Sequence, residues 1–182
     1  MELQLDDDHL VTRAKAGRLD AFEELVRRHR LTVYRIALRM LGDEGEAEDA
    51  TQEAFVQAWR GLAGFRSDAR FSTWIHRIVT NRCLNLLRSR RTAEPLPGPG
   101  TEIAASPARA PERVVEVSWQ LHDLKLAINQ LTPEQRAPLV LHDLEGHHYD
   151  EIAAMLDISV AAVKSRLHRA RLGLLDAMRQ WR

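Results

Sequence analysis

FRSDARFSTWIHRIVTNRCLNLLRSRR, residues 65–91, carries Phe65, Phe71 and Trp74, followed by Arg77, Arg82, Arg88, Arg90 and Arg91. Phe71, Trp74, Ile75, Ile78, Val79, Cys83, Leu86 and Leu87 recur at spacings of three and four, which predicts a helix with one buried stripe and an arginine-rich opposite face. Two readings fit. The stripe is a core with a solvated face behind it, or the stretch binds single-stranded nucleic acid. Any base offers a face to an aromatic ring, and any phosphate accepts an arginine fork. The surrounding sequence has to choose between them.

On the N-terminal side, Gly61 and Gly64 interrupt the pattern. Before them Ala47, Ala50, Ala54 and Ala58 form one stripe of a helix over roughly 46–59, small enough for another helix to approach closely. Phe22, Leu25, Val26, Val33, Ile36, Ala37, Met40 and Leu41 place an earlier helix over 20–41, with Gly42 as its stop. Residues 1–8 read as a loose acidic arm. No segment shows strand alternation, so 8–91 reads as a helical domain.

Composition changes at Thr92. TAEPLPGPGTEIAASPARAP holds five prolines and two glycines in 20 residues without a helical stripe, the signature of an extended linker, placed at 92–112. It reaches at most roughly 66–72 Å, about two turns of B-DNA, so two domains joined by it can hold separate DNA sites. In the second domain, 113–182, Val117, Leu121, Leu124, Ile128 and Leu131 mark a helix. Thr132-Pro133-Glu134-Gln135 then opens another, with Thr132 as N-cap, proline at the first position and Gln135 closing a capping box. Pro138 predicts a kink there or a later start, and Gly146 an end. In YDEIAAMLDISVAAVKSRLHRARL, residues 149–172, Ile152, Ala153 and Leu156 face inward, Asp157 makes a turn, and Ser159 caps a second helix packed through Val163 and Leu167. This is the pattern of a helix-turn-helix, its outward face presenting Lys164, Ser165, Arg166, His168, Arg169 and Arg171. The fold class expected is all-α: two small helical domains, a Pro/Gly-rich linker, and a helix-turn-helix in the second.

The chain has 182 residues, 45% of them hydrophobic and 29% charged, with zero net charge, so only the distribution of charge is informative. Residues 43–53 hold Asp43, Glu44, Glu46, Glu48, Asp49 and Glu53 and no base, whereas 77–91 and 164–182 are almost purely basic. Such segregation suits a protein partner on the acidic face and nucleic acid on the basic ones. The lone Cys83 sits on an apolar stripe and reads as a buried structural thiol. No apolar run approaches the roughly 20 residues of a membrane span, and the acidic start is no signal peptide, which places the protein in the cytoplasm without membrane insertion. His142, Asp143, His147, His148 and Asp150 cluster in sequence, but their spacing fits no common zinc pattern. There is no glycine-rich phosphate loop, nucleophile elbow or triad, so neither cofactor, metal nor catalytic residues are expected.

Taken together, AEDATQEAFVQAW at 47–59, FRSDARFSTWIHRIVTNRCLN at 65–85 and LTPEQRAPLVLHDLEG at 131–146 followed by the helix-turn-helix resemble, in order, the extracytoplasmic-function sigma factors of bacterial RNA polymerase. The resemblance covers roughly residues 10–178. It implies that Asp49, Gln52, Glu53, Phe55 and Trp59 bind core polymerase at the clamp helices of β′, with Phe55 as a buried anchor and the β flap as a further contact. It implies that the loop from Gly64 to Arg70 accepts a flipped base. Phe65, Arg66, Phe71, Trp74, Arg77, Asn81, Arg82 and Arg88 line the unwound minus-10 strand. Ser159, Lys164, Ser165, Arg166, His168, Arg169 and Arg171 meet the minus-35 element, and an anti-sigma factor is the expected partner in the resting cell. Four residues depart from the pattern: Asp157 for a turn glycine, Ala162 for threonine, His148 for a serine N-cap, and Pro138. A free-standing DNA-binding regulator is the competing reading, and it leaves residues 43–53 and 65–91 without a task.

Overall fold

The computed structural model describes residues 6–66, 69–93 and 124–180, with backbone alone for 91–93 and 180. The linker, the expected helix positions Val117 and Leu121, and Ser67 and Asp68 of the base-accepting loop lie outside the described residues. Those described form helices and turns with no strand.

The first domain begins earlier than its composition suggests. Asp6 accepts a hydrogen bond from the His9 N–H at 2.9 Å and caps α1, Asp7–Lys15, with Asp7 and Asp8 in its first turn. Carboxylates there complement the orphan N–H groups and the helix dipole, so residues 6–8 are a helix start and not part of a loose arm. α2 spans Leu19–Leu41 and stops at Gly42, which takes the left-handed conformation at φ 78°. α3 spans Glu44–Gly61, longer at both ends than its alanine stripe. Asp43 caps it by accepting from the Glu46 N–H at 2.9 Å, and a 3-10 turn at Leu62–Gly64 follows. Ala47, Ala50, Ala54 and Ala58 are all fully buried, so α3 packs closely on α2 and α4.

α4, Phe71–Ala93, runs past Thr92, where composition alone marks a change. Ile75, Val79 and Cys83 are buried in the shared core, and burial pushes the Cys83 thiol up to about 12. The stripe read from the sequence is therefore a core stripe.

In the second domain α5 covers 124–130 and α6 covers Pro133–Leu139, opened by Thr132, whose N–H donates to the Gln135 side chain at 3.4 Å. Pro138 sits inside α6. It cannot donate to the Glu134 carbonyl, and the winding loosens into a π-helical turn over Val140–Leu144 before Gly146. The proline thus changes the winding downstream and leaves the start where the sequence put it. α7, Tyr149–Leu156, and α8, Val160–Gln180, are joined at Asp157, whose φ of 54° and ψ of 51° are left-handed. Ile152, Met155, Val163, Leu167 and Ala170 close the core between them.

The two domains do not stand apart. Ala137 and Val140 join the core of the first domain, and α4 packs against α6 and α7. The buried Arg136 guanidinium donates to the Met40 carbonyl at the end of α2 and to the carbonyls of Asn129 and Leu131. Glu145 pairs with Arg39 and lies 3.8 Å from Arg35. Burial raises its pKa even beside these two cations.

Candidate polymerase and nucleic-acid interfaces

α3 presents Asp49, Gln52 and Glu53 to solvent, while Trp59, 38% exposed, leans on Phe22 with ring centroids 4.9 Å apart. Phe55 is only 7% exposed and belongs to the domain core, so it supports this face from beneath. Glu53 forms an ion pair with Arg82, and Glu46 one with Arg90. The acidic face and the basic helix are thus joined along one edge. A groove of about 420 Å³ between α2 and α3, lined by Arg30, Leu31, Tyr34, Glu48 and Gln52, adjoins the same face.

The aromatic residues of the expected strand path divide by depth. Phe65 and Phe71 are buried at 7% and 1% exposure, and with Trp74 they form one ring cluster: Phe65 to Trp74 at 4.7 Å, Phe71 to Trp74 at 5.9 Å. Lys15 donates to the Phe65 carbonyl and lies over its ring, which ties the loop end to α1. Neither phenylalanine offers a free face to a base. Trp74 is half-buried and, with Arg77, Asn81 and Arg82, lines a groove of about 350 Å³ completed by Gln57 and Asn85. Four of the eight expected residues therefore share one surface, which brings donors, cations and an indole into the same lining. Arg66 is exposed at the loop, and Arg88 is exposed further along α4, 3.9 Å from Glu134.

The helix-turn-helix holds its expected parts. Ser159 caps α8 by accepting from the Ala162 N–H at 3.1 Å. His148 has no side-chain cap bond, but its N–H donates to Glu151 at 3.0 Å, which restores half of the cap. Lys164, Ser165, His168 and Arg169 are exposed on α8 and Arg166 is half-buried. Lys164 lies 5.7 Å from the Tyr149 ring centroid, and Arg169 donates to the Ser165 hydroxyl at 3.1 Å. Arg171 differs from the rest: it holds Asp143 through two bonds of 3.0 and 2.5 Å, which brace α8 against the turn before α7.

Three contacts across the domain boundary escaped sequence reasoning. His76 of α4 meets His147 at 2.8 Å, Asn81 donates to the Met155 carbonyl at 3.5 Å, and Arg136 crosses to Met40. These partners are 71, 74 and 96 residues apart, far beyond any periodic signal. Beside them a cleft of about 760 Å³ opens between α4 and α7, lined by Arg70, Trp74, Arg77, Glu145, His148 and Asp150 among others. Among the described residues no three His, Cys, Asp or Glu side chains are placed to hold a metal ion, and no helix is long and apolar enough to cross a membrane.

Comparison with known proteins matches residues 25–93 to Sigma-70 region 2 and residues 121–174 to Sigma-70, region 4. The RNA polymerase sigma-H factor of Pseudomonas aeruginosa is 34% identical over 98% of this chain and 96% of its own length. The ECF RNA polymerase sigma-E factor of Escherichia coli K12 is 34% identical over 94% of this chain and 93% of its own length. The ECF sigma factor SigE of Mycolicibacterium smegmatis is 39% identical over 87% of this chain, which spans 62% of that relative's length. Among solved structures, CnrH in complex with the cytosolic domain of CnrY superimposes with a TM-score of 0.72 at 28% identity, covering 96% of this chain and 99% of that one. RpoE of Bartonella quintana, solved with the anti-sigma factor NepR, shares the fold at a TM-score of 0.67 and 22% identity, covering 87% of this chain and 96% of that one. With regions 2 and 4 in order and a full-length likeness to these relatives, the chain belongs to the extracytoplasmic-function sigma factors of RNA polymerase.

Proposed function

We propose that this chain is an alternative sigma factor that docks core polymerase on the acidic face of α3 and carries two DNA readers to one promoter. The α4 groove holds the unpaired minus-10 strand, and α8 reads minus-35 bases in the major groove. The observation that carries this reading is the assembly of Trp74, Arg77, Asn81 and Arg82 in one groove, on a chain whose other domain exposes Lys164, Ser165 and Arg169 on a capped recognition helix. An indole beside cations and amide donors suits an extruded base and its phosphates. An arginine on α8 suits a bidentate guanine contact worth roughly 1–3 kcal/mol in discrimination.

Asp49, Gln52, Glu53 and Trp59 form the docking surface for a basic helical element of the polymerase, the β′ clamp helices, and the second domain contacts the β flap. Trapping unpaired bases on α4 drives opening, so the chain needs no nucleotide hydrolysis and no catalytic group of its own. These tasks on polymerase and promoter require residence in the cytoplasm. Control by an anti-sigma factor, membrane-held or free, is part of this reading, and the shared fold with RpoE of Bartonella quintana, solved with the anti-sigma factor NepR, supports it.

Run-off transcription from a genomic promoter library, with core polymerase in the presence and absence of this chain, tests the reading. Transcripts that require the chain and share a two-part upstream motif are expected. No chain-dependent transcript, with duplex DNA still bound by the chain alone, would install the free-standing regulator instead.

A further inference from the structure

α4 enters the boundary between the domains with a histidine. His76 is 6% exposed and His147, in the loop before α7, is 8% exposed. Nδ1 of His76 lies 2.8 Å from Nε2 of His147, and the rings meet edge-on at 5.1 Å. Nε2 of His76 is buried and has no hydrogen-bond partner among the described residues. A bond between two imidazole nitrogens needs one N–H and one bare lone pair.

We propose that closure of the two domains is a proton-controlled latch: they stay packed while His76 is uncharged, and a proton on His76 separates them and uncovers α4. The latch goes beyond the division of labour proposed above, and only its consequence for DNA binding rests on that reading.

The surroundings of the pair decide which ring matters. From α2, His29 and Arg35 add positive potential at His76. Glu145, after the π turn, is taken by Arg39 and Arg35. From α7, Glu151 lies 3.5 Å from Nδ1 of His147 and also accepts from the His148 N–H. His142 Nδ1 donates to the His147 carbonyl at 2.8 Å, while Arg70, Arg77 and Asp150 line the adjoining cleft. Among the described residues no carboxylate bonds to His76. A proton on His147 is compatible with closure: Nε2–H then donates to His76 and Nδ1–H faces Glu151. A proton on His76 is not. It makes Nδ1 a donor, which no longer accepts from an Nε2–H of His147, and it puts a charge into a buried boundary near Arg35.

Burial first, then the charges of His147, His29 and Arg35, hold the His76 pKa down to about 3 from an ordinary 6.5. A histidine whose pKa is lowered on closure supports the closed form fully above its open-state value, and that support is lost as pH falls from 6.5 towards 3. With these two values the closed-to-open ratio drops about tenfold between roughly pH 7.5 and pH 5.5. Opening removes the Asn81 contact with the Met155 carbonyl and the approach of Glu134 to Arg88. Asn81 and Arg88 both belong to the expected strand path.

Small-angle X-ray scattering of the full chain across this pH range, with helix content followed by circular dichroism, tests the latch. The radius of gyration should rise below about pH 6.5 at constant helix content. His76→Gln, an uncharged partner for His147, should stay compact, and His147→Gln should still expand. Unchanged dimensions in acid, equal expansion in H76Q, or expansion abolished in H147Q would each overturn the proposal. Should a variant lose its helices, the native profile still decides, because expansion that only accompanies helix loss is unfolding and refutes the latch. In parallel, anisotropy of a fluorescent single-stranded oligonucleotide should show tighter binding by the native chain than by H76Q at the lower pH. Domains that separate without that gain leave the latch standing and count against α4 as the strand-binding helix.

Discussion

Asp157 holds a left-handed backbone, and the cost of that conformation falls on every side chain with a Cβ, least on Asp and Asn. The turn between α7 and α8 depends on it, because a residue that forces φ negative would redirect α8. Asp157→Val is expected to destabilise the chain by about 1–2 kcal/mol, whereas Asp157→Gly should be neutral or slightly stabilising. Urea denaturation midpoints read both. Cys83 supplies a second residue-scale test. With its thiol pushed up to about 12 by burial, iodoacetamide at mildly alkaline pH should label the native chain far more slowly than the unfolded chain by mass spectrometry. Labelling at equal rates would show that α4 is not packed as described.

At the scale of elements, α8 divides its basic residues between reading and bracing. Lys164 and Arg169 are exposed, whereas Arg171 is held by Asp143. Lys164→Ala combined with Arg169→Ala should abolish minus-35-dependent run-off transcription while leaving core binding intact, measured on the same preparation. Lost core binding would refute that division. Arg171→Ala and Asp143→Ala should instead lower thermal stability, with a coupling of about 0.2–1 kcal/mol in the double-mutant cycle. On α3, charge reversal at Asp49 and Glu53 should weaken core association in a binding titration, and more so at low salt, where exposed charges are screened least. The Glu53 change also strips Arg82 of its carboxylate, so Asp49→Lys is the cleaner test of docking alone.

For the whole molecule, the closed packing of two readers is the governing feature. Arg136 is its most committed residue, buried with its guanidinium on carbonyls of both domains. Removing it leaves buried acceptors short of donors, at about 1–3 kcal/mol for each group left unpaired. Arg136→Met is therefore expected to lower the thermal midpoint and to enlarge the radius of gyration even at neutral pH. A stable but compact R136M chain would move the weight of the interface onto the His76 and Glu145 contacts. Gly42 belongs to the same boundary: at φ 78° it ends α2, and the Asn129 side chain lies 2.7 Å from where a Cβ would sit. Helix termination and domain approach both favour glycine there.

Local chemistry was legible without coordinates. Alanine spacing, Gly42, the Thr132-Pro133 start, the Asp157 turn and the Ser159 cap each act within a few residues, and the helix-turn-helix follows from them. The resemblance of three motifs, in order, to those of one family led to that family. The chain alone could not tell a ring that packs from a ring that binds. Phe55, Phe65 and Phe71 have the same apolar chemistry as Trp74, and only packing decides that the phenylalanines are core while the tryptophan borders a groove. Nor could spacing reveal Glu53 on Arg82, Arg171 on Asp143 or His76 on His147, because ion pairs and hydrogen bonds between helices depend on how the helices dock. Sequence periodicity settles which face of a helix is buried; the tertiary structure decides what lies against it.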